Sequence, residues 1–341
     1  MTRNIRIGLI GAGRIGALHG ANLAQRIPGA EVTSIADVHE ETARRFATEH
    51  GLSEWHTDPQ AVLSDPQVDA VAICSTTDTH ASLIEDAAGQ GKHIFCEKPI
   101  DLDLGRIDHA LQRVMDANVL LQVGFNRRFD PSFLHAKNTI AEGRIGAPHL
   151  VHITSFDPSP PPMSYVRVSG GLFLDMAIHD FDMARYLMGS DIVEVYAAGA
   201  VLVNPEIGEA GDVDTAVTTL RFANGGLGSI QNSRKATHGY DQRAQVLGSD
   251  GFISVNNHTP HQTVLGDSGG LTSPLPEPFF IERYGAAYLA QMEAFVGAVR
   301  EGGPSPVSGE DARAPVLAAL AAKMSLEERR AVRLDEVTPP A

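Results

Sequence analysis

The sequence predicts an α/β protein in two parts: a doubly wound parallel sheet over residues 1–123, then an α+β domain over 124–341 built on a large, mainly antiparallel sheet. Three observations carry that expectation. Up to about residue 123, short β-rich apolar runs alternate with longer segments of helical period, the pattern of parallel strands covered by helices. Beyond it, alternating strands follow one another across tight turn signals. Finally, 341 residues at 43% hydrophobic are too many for one ordinary core and supply enough apolar surface for two.

The elements follow in order. "IRIGLIG" (5–11) is the first strand, "RIGALHGANLAQRI" (14–27) a helix, "EVTSIAD" (31–37) the second strand and "HEETARRFATEHG" (39–51) the second helix. "DAVAICS" (69–75), "KHIFCEKP" (92–99) and "VLLQVGF" (119–125) are further strands, separated by the helical patterns 79–91 and 107–117. The second part opens with a helix (133–146), the strand "HLVHITSF" (149–156), the proline-rich loop "DPSPPPM" (157–163) and the helix "GGLFLDMAIHDFD" (170–182). Strands at 192–203, 214–222, 227–233, 242–248 and 252–257 complete a sheet of five or six strands. Asn224-Gly225-Gly226 and Ser249-Asp250-Gly251 mark hairpins, because glycine and asparagine tolerate positive φ. Two helical stretches, 286–302 and 310–331, close the chain.

Composition excludes some functions. The formal charge of −15 disfavours nucleic acid and anionic membranes, which call for a basic footprint. No apolar window approaches the roughly 18 residues of a membrane span, and no signal peptide is expected, so the reading is a cytoplasmic protein. Cys74 and Cys96 each sit in an apolar strand-like run and read as buried, reduced thiols.

In "GLIGAGRIG", the run Gly11-Ala12-Gly13-Arg14-Ile15-Gly16 has the G-x-G-x-x-G order after a strand and at the mouth of a helix. The first glycine permits a tight turn, the second lets backbone approach a pyrophosphate, and the third lets helix and strand pack closely. The helix N-terminus adds free N–H groups and partial positive charge. Asp37 falls 21 residues after Gly16, at the end of the second strand, where a carboxylate accepts from ribose hydroxyls and repels a 2′-phosphate. The expected cofactor is therefore NAD. The bland alternative makes Asp37 a helix cap.

Two more segments end sheet strands, where open α/β folds bind ligands. Ser75, Thr76 and Thr77 are small hydroxyl residues suited to close approach of a cofactor, or to capping the helix that carries His80. Glu97-Lys98-Pro99 leaves a buried strand with a charged pair, which makes Lys98 a site candidate. In the second part, Asp175 and His179 are four apart on a helical pattern, a spacing that puts both on one face. A carboxylate bonded to an imidazole favours one tautomer and makes the histidine a better base. Two ligands on one face do not make a zinc site without a third, so no metal is expected.

Glycine fingerprint, "EKP" and "GG-x-x-x-D-x-x-x-H-D" together resemble the Gfo/Idh/MocA oxidoreductases, over nearly the whole chain. Within that family, "VGFNRRFDPSF", "DPSPPP", "IHDFDMARYLMG", "NSRKATHGYDQR" and "GSDGFISVNN" look like the bacterial inositol 2-dehydrogenases. The resemblance implies an N-terminal Rossmann domain and a C-terminal α+β domain whose open sheet makes the contacts of a homo-oligomer, a dimer or tetramer. It implies Lys98, Asp175 and His179 as the catalytic set and Glu97 and Lys98 close to the nicotinamide. It places Asn126, Arg127, Asp157 and Tyr240 around a small polyol or sugar substrate, and offers Tyr284 as a candidate for the region of Glu97 and Lys98 beside the nicotinamide. In that reading His179 takes the proton of a secondary hydroxyl while Lys98 holds the same oxygen.

The chain departs from the inositol pattern at Phe156 and Leu174, where the resemblance implies arginines. Loss of two directed donors leaves other inositol isomers, pyranose sugars, or reduction of a keto-cyclitol open as reactions. A glycosidase running a transient NAD redox cycle is the second class, and a non-catalytic NAD-dependent sensor the third.

Overall fold

The computed structural model describes residues 3–338. Its first sheet is all parallel, with β1 (Ile5–Ile10), β2 (Ala30–Ala36), β3 (Trp55–His56), β4 (Ala70–Ile73), β5 (His93–Cys96) and β6 (Leu121–Val123) in the order β3-β2-β1-β4-β5-β6. The doubly wound expectation holds. "AVAI" of β4 is buried throughout, as a strand covered by helices on both faces requires. The order reverses between β1 and β4, and ligands bind at such a switch point, outside the carboxyl ends of the strands.

The second sheet is mixed. β7 (Pro148–Phe156), β8 (Ile192–Ala200), β9 (Thr215–Phe222), β10 (Leu227–Ser233), β11 (Asp241–Gly248) and β12 (Phe252–Val255) run in the order β12-β11-β7-β10-β9-β8, with Val332–Arg333 added beside β8. All pairs are antiparallel except β7 with β10. β9 alternates buried and exposed side chains along its length, so one face of the sheet packs inward. Register fixes one end of the sheet: Phe156 stands between Ser233 on β10 and Asp241 on β11.

The chain forms two compact units, and a single cut at 123/124 does not describe them. The first unit runs to Phe129 and takes back Ala286–Arg313; the second holds Asp130–Gly285 and Ala314–Thr338. The reason is packing. Met292, Phe295 and Val296, from the helix Phe280–Glu301, are buried in the same core as Ile7, Leu9, Ile35 and Phe95. That helix departs from helical geometry at Tyr284, next to the division.

Candidate active site

At the nucleotide end, backbone conformation accounts for the glycines. Gly11 has φ +87°, and a Cβ there would meet the Cys74 carbonyl group and the Ser75 nitrogen at 2.8 Å. A Cβ on Gly16 would lie 2.0 Å from the Gly11 oxygen, so the helix Arg14–Gln25 starts as close to β1 as backbone allows. Gly13, by contrast, faces open space: nothing lies within 4 Å of its absent Cβ, and no side chain caps the helix it begins. Asp37 accepts from the Ala12 nitrogen at 2.8 Å through Oδ2 and from the His39 nitrogen at 2.9 Å through Oδ1. Each oxygen keeps a lone pair for a ribose hydroxyl. Arg14 is exposed and Ile15 half-buried at the start of this helix. An open, uncapped helix mouth beside an anchored acid fits a dinucleotide.

Ser75, Thr76 and Thr77 lie where β4 gives way to the helix Thr77–Gly89, with the Ser75 and Thr79 hydroxyls 2.6 Å apart. Glu97 and Lys98 are half-buried at the end of β5, and the Lys98-Pro99 peptide is cis. His80 is 2% exposed, and both its ring nitrogens face backbone carbonyls, those of Ser75 and Pro99. The sequence leaves His80 open as a packing or a cofactor-contact residue, and both of its ring nitrogens are turned to the chain's own backbone. Asn126 and Arg127 are buried in a short 3-10 turn, Asn126–Phe129.

At the end where the base is expected, Asp175 and His179 do not share one regular helix. Asp175 ends the helix Gly171–Asp175, and His179 begins the helix Ile178–Met188. The Ala177 nitrogen donates to the Leu172 oxygen, five residues back, which shifts the turn between them. The four-residue spacing of a single α-helix thus gives way to two helices meeting at Met176-Ala177. Both side chains are half-buried.

Asp175 is gripped by residues that periodicity does not reveal. Tyr165 donates its hydroxyl to Oδ1 at 2.8 Å, and Arg234 donates Nη1 to Oδ2 at 3.1 Å. Arg234 is 1% exposed and also lies 3.8 Å from Asp212, so one buried guanidinium serves two carboxylates. Asp212 in turn accepts from the Leu172 nitrogen, and a Cβ on Gly171 would collide with it at 2.7 Å. This close approach, at φ +82°, explains a glycine before "LFLD". Burial and the adjoining Asp175 carboxylate push the Tyr165 phenol well above its ordinary value, although nearly half the residue is exposed. That shift favours the protonated phenol, the form that donates to Asp175.

The other expected residues gather at the same end of the second sheet. The Asp157 nitrogen donates to the Ser233 oxygen at 2.9 Å, and the Asp157 oxygen accepts from the Ala236 nitrogen at 2.7 Å. Tyr240 stands edge-on to Phe279 and Tyr284, with ring centres 5.6 and 6.2 Å away. Phe156 is half-buried at the end of β7, whereas Leu174 is 4% exposed and belongs to the core of its short helix. No group of three or more potential ligand residues suited to a metal occurs among the described residues.

Comparison with known proteins agrees along the full length. Residues 5–125 match the model of an oxidoreductase family with an NAD-binding Rossmann fold, and 133–254 match the GFO/IDH/MocA C-terminal domain. A myo-inositol 2-dehydrogenase of Thermotoga maritima is 49% identical, covering 98% of this chain and 99% of its own. An inositol 2-dehydrogenase of Rhizobium meliloti is 44% identical over 97% of this chain and 99% of its own. The crystal structure of a Lactobacillus casei scyllo-inositol dehydrogenase with NAD(H) and scyllo-inositol superposes with a TM-score of 0.92 at 31% identity, covering 98% of this chain and all of that one. With its glycine-turn nucleotide end, its "EKP" strand end and full-length relatives of this kind, the chain belongs to the Gfo/Idh/MocA family of NAD-binding oxidoreductases.

Proposed function

We propose that the protein is an NAD-dependent dehydrogenase that oxidises a secondary hydroxyl of an inositol-type cyclitol to a ketone. The observation that carries this reading is the full-length likeness to inositol 2-dehydrogenases, at 49% and 44% identity. NAD, when bound, accepts the hydride. His179 removes the hydroxyl proton, and Asp175 orients and stabilises the imidazole that receives it. Arg234 and Tyr165 hold Asp175 in place as an acceptor. Lys98 donates to the same substrate oxygen and stabilises the negative charge that develops there. Asn126, Arg127, Asp157 and Tyr240 make the remaining substrate contacts, and Ser75, Thr76, Thr77 and Glu97 line the cofactor.

We read the protein as a cytoplasmic homo-oligomer, a dimer or tetramer. Exposed Tyr196, Val217, Leu227, Leu247 and Phe252 on the second sheet support the oligomer. No helix among the described residues is long and apolar enough to cross a membrane.

The test is NADH absorbance with a panel of myo-, scyllo- and other inositols and pyranose sugars, offered with NAD and with NADP. Net NADH from at least one inositol is expected. Release of an aglycone from glycosides without net NADH, or no turnover of any cyclitol, overturns the reading.

A further inference from the structure

Two buried histidines make hydrogen bonds to the residues flanking Lys98. His19, fully buried on the helix Arg14–Gln25, donates Nε2 to Glu97 Oε1 at 2.7 Å. His80 sets Nδ1 2.7 Å from the Pro99 oxygen and Nε2 3.1 Å from the Ser75 oxygen. A carbonyl only accepts, so the ring donates here, and the shorter contact, from Nδ1 to the Pro99 oxygen, is the bond that ties the loop. The residues before and after Lys98 are thus each tied to an imidazole, and the Glu97 nitrogen is tied to the Ile73 oxygen. The Glu97 carboxylate is also confined on its far side, because a Cβ on Gly124 would lie 2.8 Å from its Oε2.

We propose that His19 and His80 are positioning residues for Lys98, clamping Glu97 and Pro99 so that the lysine leaves its strand at one fixed point. The inference rests on the role of Lys98 given above. A lysine amine rides on a flexible four-carbon stem, so protein can constrain its reach chiefly by fixing the backbone at its root. Displacement of a donor by about 1 Å costs on the order of 100-fold in rate. A buried imidazole loses hydration, a cost that a bond to a carboxylate or carbonyl offsets; an aliphatic residue would fill the same space without it. His19 also packs edge-on against Phe95 and Tyr288, at 5.1 and 5.7 Å between ring centres, so phenylalanine there keeps the packing and removes only the donor.

The experiment measures kcat, the NAD dissociation constant and the melting temperature of the full-length protein. His19→Phe and His80→Leu are expected to lower kcat about 10- to 100-fold with NAD binding within about threefold of the parent. His19→Gln and His80→Asn, which return an amide N–H near the lost ring nitrogen, should recover most of that loss. Gly124→Ala displaces the Glu97 carboxylate without touching either histidine and should reproduce the fall in kcat, which keeps the test decisive if a histidine variant does not fold. Parent-like kcat in folded variants, NAD affinity falling in step with kcat, or no rescue by the amides overturns the clamp. Lys98→Ala separates the two readings. If it is inactive while the histidine variants turn over normally, the clamp alone fails; if it turns over like the parent, the role of Lys98 fails and the clamp with it.

Discussion

The nucleotide end and the base end are built in opposite ways. At the nucleotide end six consecutive residues, 11–16, make the turn, and one acid after the next strand is anchored directly on it, Asp37 on Ala12. At the base end, Asp175 is held by Tyr165, ten residues earlier, and by Arg234, 59 residues later. Arg234 is seated by its own backbone, whose nitrogen donates to the Asp214 oxygen at 2.8 Å. Asp214 accepts three further backbone N–H groups, from Leu202, Val203 and Asn204. The first site depends on what backbone conformation a residue type permits, the second on which strands lie side by side. Mutations at the two ends should therefore fail differently.

The largest effect is expected at the proposed base and donor. His179→Ala and Lys98→Ala should each lower kcat about 10²- to 10⁴-fold while NAD binding, measured by fluorescence titration, stays within about threefold. Near-parent turnover in either variant removes that residue from the mechanism. Next comes Arg234→Met, which leaves the half-buried Asp175 and Asp212 without their cation. Urea unfolding should show a loss of about 3–5 kcal/mol, kcat should fall with it, and NAD affinity should hold. A variant as stable as the parent would mean that the base end does not rest on this guanidinium.

Gly16 and Gly13 sharpen the contrast within the nucleotide end. Gly16→Ala drives a methyl into the Gly11 carbonyl and should cost about 1–3 kcal/mol of stability. Gly13→Ala meets nothing in the protein, so its melting temperature should match the parent while NAD affinity falls about tenfold, roughly 1.4 kcal/mol. An unchanged affinity would show that no phosphate approaches Gly13. Asp37→Ala should weaken NAD by a similar factor and relax the preference over NADP, and a constant NAD-to-NADP ratio would refute the ribose contact. The smallest effect belongs to Tyr165→Phe, worth about 1 kcal/mol or several-fold in kcat. Because its phenol is pushed up in the parent, the alkaline limb of the rate profile should not move; a displaced limb would make Tyr165 a titrating participant.

Much of this was legible before folding was considered. The β-rich runs of the first sheet, the hairpin at Asn224-Gly225-Gly226 and the glycine turn depend on local period or local φ, and they appear where the residues imply. β3 at Trp55–His56 and the strand Val332–Arg333 are two residues each, too short to show a period. The break between Asp175 and His179 is hidden because "GGLFLDMAIHDFD" keeps its apolar spacing through the shifted turn. Arg234 looks like an ordinary charged residue after a strand, and only the pairing of β10 with β7 and β9 gives it buried partners.

The sequence by itself determined the chemistry at the nucleotide end, because a turn that only glycine can make and an acid at a strand terminus are properties of short stretches of chain. It also offered Lys98, Asp175 and His179 as the candidates for the proposed proton transfer. Tertiary structure alone decided what supports them: the Arg234 bridge between Asp175 and Asp212, the Tyr165 hydroxyl on Asp175, and the two imidazoles against Glu97 and Pro99. Those contacts join residues far apart in the chain through sheet register and helix packing. Their strength comes from burial, which no linear pattern records.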